Sequence, residues 1–84
     1  MADTFQIEIA TPEKMVLDKR VEYAEIPGKD GYMGILPGHA ALLSELGSGD
    51  LSLTVAGKVE KYKISGGYVE VRDDHVRVLA DSVE

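Results

Sequence analysis

Gly28, Gly31, Gly34 and Gly38 recur through the middle of the chain, and glycine loops of this kind can cradle phosphate. A phosphate loop needs G-x-G-x-x-G or G-x-x-x-x-G-K-[ST] with a helix starting beside it, so that backbone N–H groups meet the anion. Gly28-Lys29-Asp30-Gly31-Tyr32-Met33-Gly34 carries neither pattern, and no helical pattern follows it. These glycines read instead as hairpin turns and a bulge. The two histidines, without any cysteine, cannot build an imidazole-rich metal site unaided. Asp73-Asp74-His75 falls where a tight turn is expected, and such residues are common in turns for conformational reasons. His39 stands alone between Gly38 and Ala40, as a hydrogen-bonded structural side chain or an interface contact. A serine hydrolase needs a nucleophile on a strained elbow with a histidine and an acid. Gly47-Ser48-Gly49 reads as a flexible turn, and the carboxylates sit at turns or outward strand positions. No catalytic residues, cofactor or metal follow from these patterns.

The chain has 84 residues, with nine basic and fifteen acidic side chains giving a net charge of −6. That length holds one domain, spanning residues 1–84. An acidic chain without a basic patch is expected to bind neither nucleic acid nor anionic lipid. With no cysteine there are no disulfides or thiol nucleophiles. Met1-Ala2-Asp3-Thr4 lacks a basic, then apolar, leader pattern, and the longest aliphatic run is Ala40-Ala41-Leu42-Leu43, so no membrane insertion is expected.

The elements that must position any site are strands. Phe5, Ile7 and Ile9 alternate with Gln6 and Glu8, the period of a half-buried strand, and Pro12 ends that run. Met15-Val16-Leu17 predicts a short second strand before a polar Asp18-Lys19-Arg20 turn. Val21, Tyr23 and Glu25 alternate with Glu22, Ala24 and Ile26 up to Pro27-Gly28. Asp30-Gly31 predicts a hairpin, followed by a strand over Tyr32 to Leu36. Ala40 to Leu46 reads as extended or as a single turn. Leu51, Leu53 and Val55 predict a strand that turns at Ala56-Gly57. Val59 to Ile64 runs back, Gly66-Gly67 interrupts it, and Tyr68 to Val71 resumes. Val76 to Ala80 is the final strand. Short strands at this spacing define an all-β chain, an antiparallel sandwich or barrel. The core expected between its sheets is Ile7, Ile9, Val16, Val21, Tyr23, Ile35, Leu53, Val69, Val76 and Val78.

Gly31-Tyr32-Met33-Gly34-Ile35-Leu36-Pro37-Gly38-His39-Ala40-Ala41-Leu42-Leu43 resembles the G-x-x-G-I-L-P-G-H-A-P-L-L signature of the ATP synthase epsilon subunit family. Ile9-Ala10-Thr11-Pro12-Glu13 resembles its V-x-T-P-E/D opening. Ser65-Gly66-Gly67-Tyr68-Val69-Glu70-Val71 resembles its S-G-G-F/Y-x-E-V strand, and Val76 to Glu84 its V-T-V-L-A-D-x-A-E close. The resemblance covers essentially the whole chain. It implies an antiparallel β-sandwich of about ten short strands, without the C-terminal helical hairpin that the family usually adds. The sequence stops at Glu84, as a naturally short form or a trimmed piece. It also implies a non-catalytic rotor part of a bacterial F-type ATP synthase, peripheral at the cytoplasmic face of the plasma membrane. The partners implied are the gamma subunit and the c-ring.

By this resemblance Thr11, His39, Ala40, Ala41, Leu42 and Leu43 approach gamma, while Lys29, Asp30, Gly31 and Tyr32 face the ring. Two positions depart from the family pattern. Tyr32 stands where relatives often have glutamate, and Ala41 where they have proline. A tyrosine brings no charge near neutral pH, so stacking on a guanidinium and the charge of Asp30 are expected to share that contact. Two other classes compete. A stand-alone ligand-binding sandwich would need converging polar groups, yet Phe5, Tyr23, Tyr32, Tyr62 and Tyr68 are scattered along the chain. A hydrolase built on His39 lacks its serine elbow.

Overall fold

The computed structural model describes residues 3–84; Met1 and Ala2, on which the reading of a leader partly rests, lie outside them. Among the described residues there are eight strands and no helix. They are β1 (Phe5–Ala10), β2 (Met15–Val21), β3 (Tyr23–Gly28), β4 (Gly31–Ile35), β5 (Leu42–Glu45), β6 (Ser48–Val55), β7 (Lys58–Arg72) and β8 (His75–Val83). The all-β class is therefore as expected, with eight strands in place of ten. Two expected breaks are continuous strand instead, and the second of them accounts for part of the difference in number. Asp18, Lys19 and Arg20 do not turn but continue β2, paired with Glu8, Ile7 and Gln6. Their polarity reflects an edge position, where charged side chains blunt further pairing. Likewise Gly66-Gly67 bends β7 without ending it.

The ladder runs β2-β1-β8-β7-β6-β3-β4, with β5 also paired to β7. All pairs are antiparallel except β1 with β8, where Ile7 lies beside Val76 and Ile9 beside Val78 in parallel. β7 pairs β6 from Lys58 to Ser65 and β5 from Tyr68 to Val71. At the changeover Leu46 N donates to Gly67 O at 2.9 Å and Gly66 N to Gly47 O at 3.1 Å. The chain bends again at Glu22, where β2 leaves β1 and β3 takes up β6. These bends fold one continuous ladder back on itself, and its two halves face one core.

That core joins Phe5, Ile7, Ile9, Val21, Ala24, Ile26, Ile35, Leu46, Leu51, Leu53, Ile64, Val69, Val71, Val76, Val78 and Ala80, and no polar side chain is buried among the described residues. Eight of the ten expected core residues are there; Val16 and Tyr23 are only half-buried. Tyr23 points outward because the bend at Glu22 falls between it and Val21, so Ala24 and Ile26 form the inner face of β3. The turn residues behave as their types suggest. Asp73 and Asp74 take φ of 52° and 58° and close the β7–β8 hairpin. The hairpin expected at Asp30-Gly31 sits one residue earlier, with Lys29 and Asp30 as its loop and Gly28 opposite Gly31.

Candidate functional site

Strand alternation sorts the side chains. On the outer face of the β2-β1-β8-β7-β5 half, one row runs Met15, Ala10, Leu79, Tyr68, Glu45. The next runs Asp18, Glu8, Arg77, Glu70, Leu43. Their buried neighbours Ile9, Val69, Val78 and Ala80 point inward, so Met15, Tyr68, Leu79 and Leu43 must point out. Half or more of each is exposed, and Leu43 reaches 74 %. A monomeric chain rarely lines apolar groups up across four strands, here Met15, Ala10, Leu79 and Tyr68, without a partner. Sequence reasoning missed Met15, Tyr68 and Leu79: the period-two rule places Tyr68 and Leu79 on the solvent face, whereas Met15 has the parity of buried Val21 and is turned outward by the register shift opposite Ile9 and Ala10.

The gamma set splits across this surface. Thr11 ends β1 in a turn where its N–H donates to Lys14 O at 2.9 Å, and it borders a shallow groove with Pro12, Tyr68 and Leu79. Leu43 shares the face, one diagonal step from Tyr68. Leu42 turns the other way and packs against the core. Ala40 and Ala41 are exposed, and the His39 ring Nδ1 lies 2.7 Å from Ala40 O. The loop before His39 is anchored far from Thr11, because Gly38 N donates to Asp74 Oδ1 at 2.6 Å.

The ring set sits together on the β3–β4 hairpin. Asp30 stands exposed at its tip beside Gly31. Lys29 is tied down twice by Glu45: its N–H donates to Glu45 O at 3.0 Å, and its Nζ lies 3.1 Å from Glu45 Oε2. Tyr32 is 56 % exposed, and its hydroxyl accepts from Asp50 N at 3.1 Å. One ring face is therefore open while the hydroxyl end is held.

The charged row on this outer face has its own chemistry. Glu8 Oε2 accepts from Arg77 Nε at 3.3 Å. His75 Nε2 lies 3.1 Å from the same oxygen, close enough for ion pairing but off the hydrogen-bonding line. Partial burial alone would raise the Glu8 pKa, but the Arg77 and His75 contacts and charges outweigh it and hold the carboxyl below its ordinary value. A carboxyl lowered on folding stabilises the fold fully above its unfolded pKa, and that stabilisation is lost as pH falls through the folded value. Acid unfolding of the wild-type domain is thus expected to steepen below pH ~4.3. Glu8→Gln should flatten that limb in urea titrations at stepped pH; an unchanged limb would assign the acid sensitivity elsewhere.

The fold is a β-sandwich with an apolar core, an outward row of apolar side chains and a hairpin pinned at its base. The chain belongs to the family described as the ATP synthase delta/epsilon chain beta-sandwich domain, whose model matches residues 4–84. The epsilon chain is a non-catalytic subunit. The ATP synthase epsilon chain of Koribacter versatilis is 48 % identical over all 84 residues, which cover 59 % of that protein. A chain of the Euglena gracilis mitochondrial ATP synthase, solved as OSCP/F1/c-ring in rotational state 1, superposes with a TM-score of 0.91 at 26 % identity, over 96 % of this chain and 52 % of that one. A chain of the Tetrahymena thermophila mitochondrial ATP synthase central stalk and c-ring has the same fold, with a TM-score of 0.82 at 18 % identity over 99 % of this chain and 67 % of that one. This chain spans about 60 % of the length of the curated relatives it matches.

Proposed function

We propose that this domain is a central-stalk component of an F-type ATP synthase, joining the gamma subunit to the c-ring and carrying proton-driven rotation towards ATP synthesis without catalysing a step itself. It works peripherally, at the cytoplasmic face of a bacterial plasma membrane. The observation that carries this reading is the apolar row Met15–Leu79–Tyr68 with Leu43, on a chain of this family. Gamma covers that face, with Thr11, Leu43 and the exposed Ala40-Ala41 segment in its footprint and His39 at one margin. The ring meets the Lys29–Tyr32 hairpin. Glu45 lies between the two, two residues beyond Leu43 and paired with Lys29, so the docking regions adjoin. A stand-alone ligand-binding sandwich would need buried polar groups converging on a pocket, and no polar side chain is buried among the described residues.

The test is binding within a reconstituted complex. Leu43→Glu should weaken gamma binding about tenfold or more by burying an unpaired charge. It should leave domain stability within ~0.5 kcal/mol, because Leu43 is mostly exposed. Ala41→Glu should act in the same direction. For the ring, Tyr32→Ala should weaken binding more than Asp30→Asn at high salt, since a rim ion pair adds only ~0–1 kcal/mol and is screened. Unchanged gamma affinity in Leu43→Glu and Ala41→Glu would remove the gamma face. A larger loss in Asp30→Asn at high salt would make the hairpin contact one of charge.

A further inference from the structure

The β3–β4 hairpin ends the strand order, so β4 has no second neighbour to hold it. The base of the hairpin, on its β3 side, is pinned by the junction between β5 and β6, the Gly47-Ser48-Gly49 segment whose sequence resembles a mere flexible turn. Gly47 N donates to Pro27 O at 2.9 Å, beside the Lys29 N to Glu45 O bond at 3.0 Å. A bridge between Gly28 and Leu46 completes this join. The approach is possible only because Gly47 has no side chain. A β-carbon there would lie 2.7 Å from Gly28 O and 3.2 Å from Gly28 C, backbone atoms at the base of the hairpin. Its backbone is not among those at positive φ, so the lost room is the whole of its conflict.

Gly49 does the same for the hairpin's aromatic residue. A β-carbon on Gly49 would run into the Tyr32 hydroxyl and lie 3.2 Å from Tyr32 Cζ and 3.3 Å from Pro27 Cβ. The hydroxyl end of Tyr32 lies over this bare glycine, and the hydroxyl takes the N–H of the next residue, Asp50. A glycine on one strand thus gives floor space to an aromatic ring on another.

We propose that Gly47 and Gly49 are positioning residues that seat the Lys29–Tyr32 hairpin for its docking partner. Gly47 sets how close the hairpin base stands to the corner of the sandwich. Gly49 sets where the Tyr32 ring lies, and so which ring face it offers. The inference rests on the hairpin's being the ring-facing contact, and the experiment separates the two claims.

The full chain, assembled with gamma and the c-ring, is compared as Gly47→Ala, Gly49→Ala, Tyr32→Ala and Gly49→Ala/Tyr32→Ala. Each variant is measured for ring affinity, gamma affinity and the backbone amide resonances of Lys29 to Tyr32. Gly49 sits at φ 156°, so alanine adds backbone strain there as well, which makes the double variant decisive. If the Gly49 effect passes through the ring, Gly49→Ala weakens ring binding about fivefold or more alone and adds little once Tyr32 is alanine. Gly47→Ala should shift the hairpin amides and weaken ring binding while gamma affinity stays within about twofold, because that face is not touched. Equal losses from Gly49→Ala in both Tyr32 backgrounds would overturn the seat at Gly49. A Gly47→Ala chain that unfolds, or that loses gamma and ring affinity together, would overturn it at Gly47. If Tyr32→Ala leaves ring affinity unchanged, the docking reading fails, and displaced hairpin amides in the glycine variants would still establish the seat itself.

Discussion

Gly67→Ala is expected to destabilise the domain by upwards of ~3 kcal/mol, combining positive-φ strain with overpacking. Gly67 sits at φ 111°, a conformation side chains rarely adopt. A β-carbon there would also overlap Leu79 O and lie 2.9 Å from Ala80 Cα, backbone atoms of the neighbouring strand. Nothing flexible can move aside. The same residue accepts the hydrogen bond from Leu46 N at the corner where β7 passes from one partner strand to another. Relief would therefore have to come from opening that corner, which holds both halves of the ladder over the core. A domain of this size has about 5–10 kcal/mol in total, so the variant should unfold at much lower urea or fail to accumulate. A midpoint within experimental error of wild type would mean that the corner is not held at Gly67.

Ile7→Ala should cost about 2–5 kcal/mol, through lost burial and the cavity left behind. Ile7 is fully buried and lies between Lys19 on β2 and Val76 on β8. It stands within the parallel pair that joins the first strand to the last. Val16→Ala should cost clearly less, about 1 kcal/mol, because Val16 only borders the core. Leu79→Ala, on the outer face, should hardly change stability and should weaken only partner binding. Urea unfolding of the three variants checks the ranking, and a Leu79 loss as large as that of Ile7 would place the outer row in the core.

The fold was legible in the sequence wherever the signal is local. Phe5, Ile7 and Ile9 alternate with polar residues and are buried in that pattern. Gly57, Asp73 and Asp74 turn where their residue types tolerate positive φ, and Ala56 is carried to φ 50° beside Gly57 by the turn itself. Errors arose where local pattern and long-range pairing disagree. Asp18-Lys19-Arg20 looks like a turn because it is polar, but β1 supplies a ladder on one side and solvent takes the charges on the other. Tyr23 looks like core because it follows Val21 at a spacing of two, until the bend at Glu22 reverses which face is inside.

The candidate residues divide in the same way. Composition and the glycine, histidine and serine patterns pointed to no catalytic constellation, and the four matching segments carried the family. That Leu42 and Leu43 part company follows from strand period alone. Only the tertiary structure decided that Met15, Tyr68 and Leu79, widely separated along the chain, stand in one row, because their alignment depends on β1 lying parallel to β8 and on the register of β8 against β7. Only the tertiary structure decided, too, that Gly47 and Gly49 make room for the hairpin of Lys29 and Tyr32. Side-chain direction is a property of each strand and is written in its neighbours. Which strands adjoin, and in what register, is settled by packing all the apolar faces into one core, and no single segment carries that information.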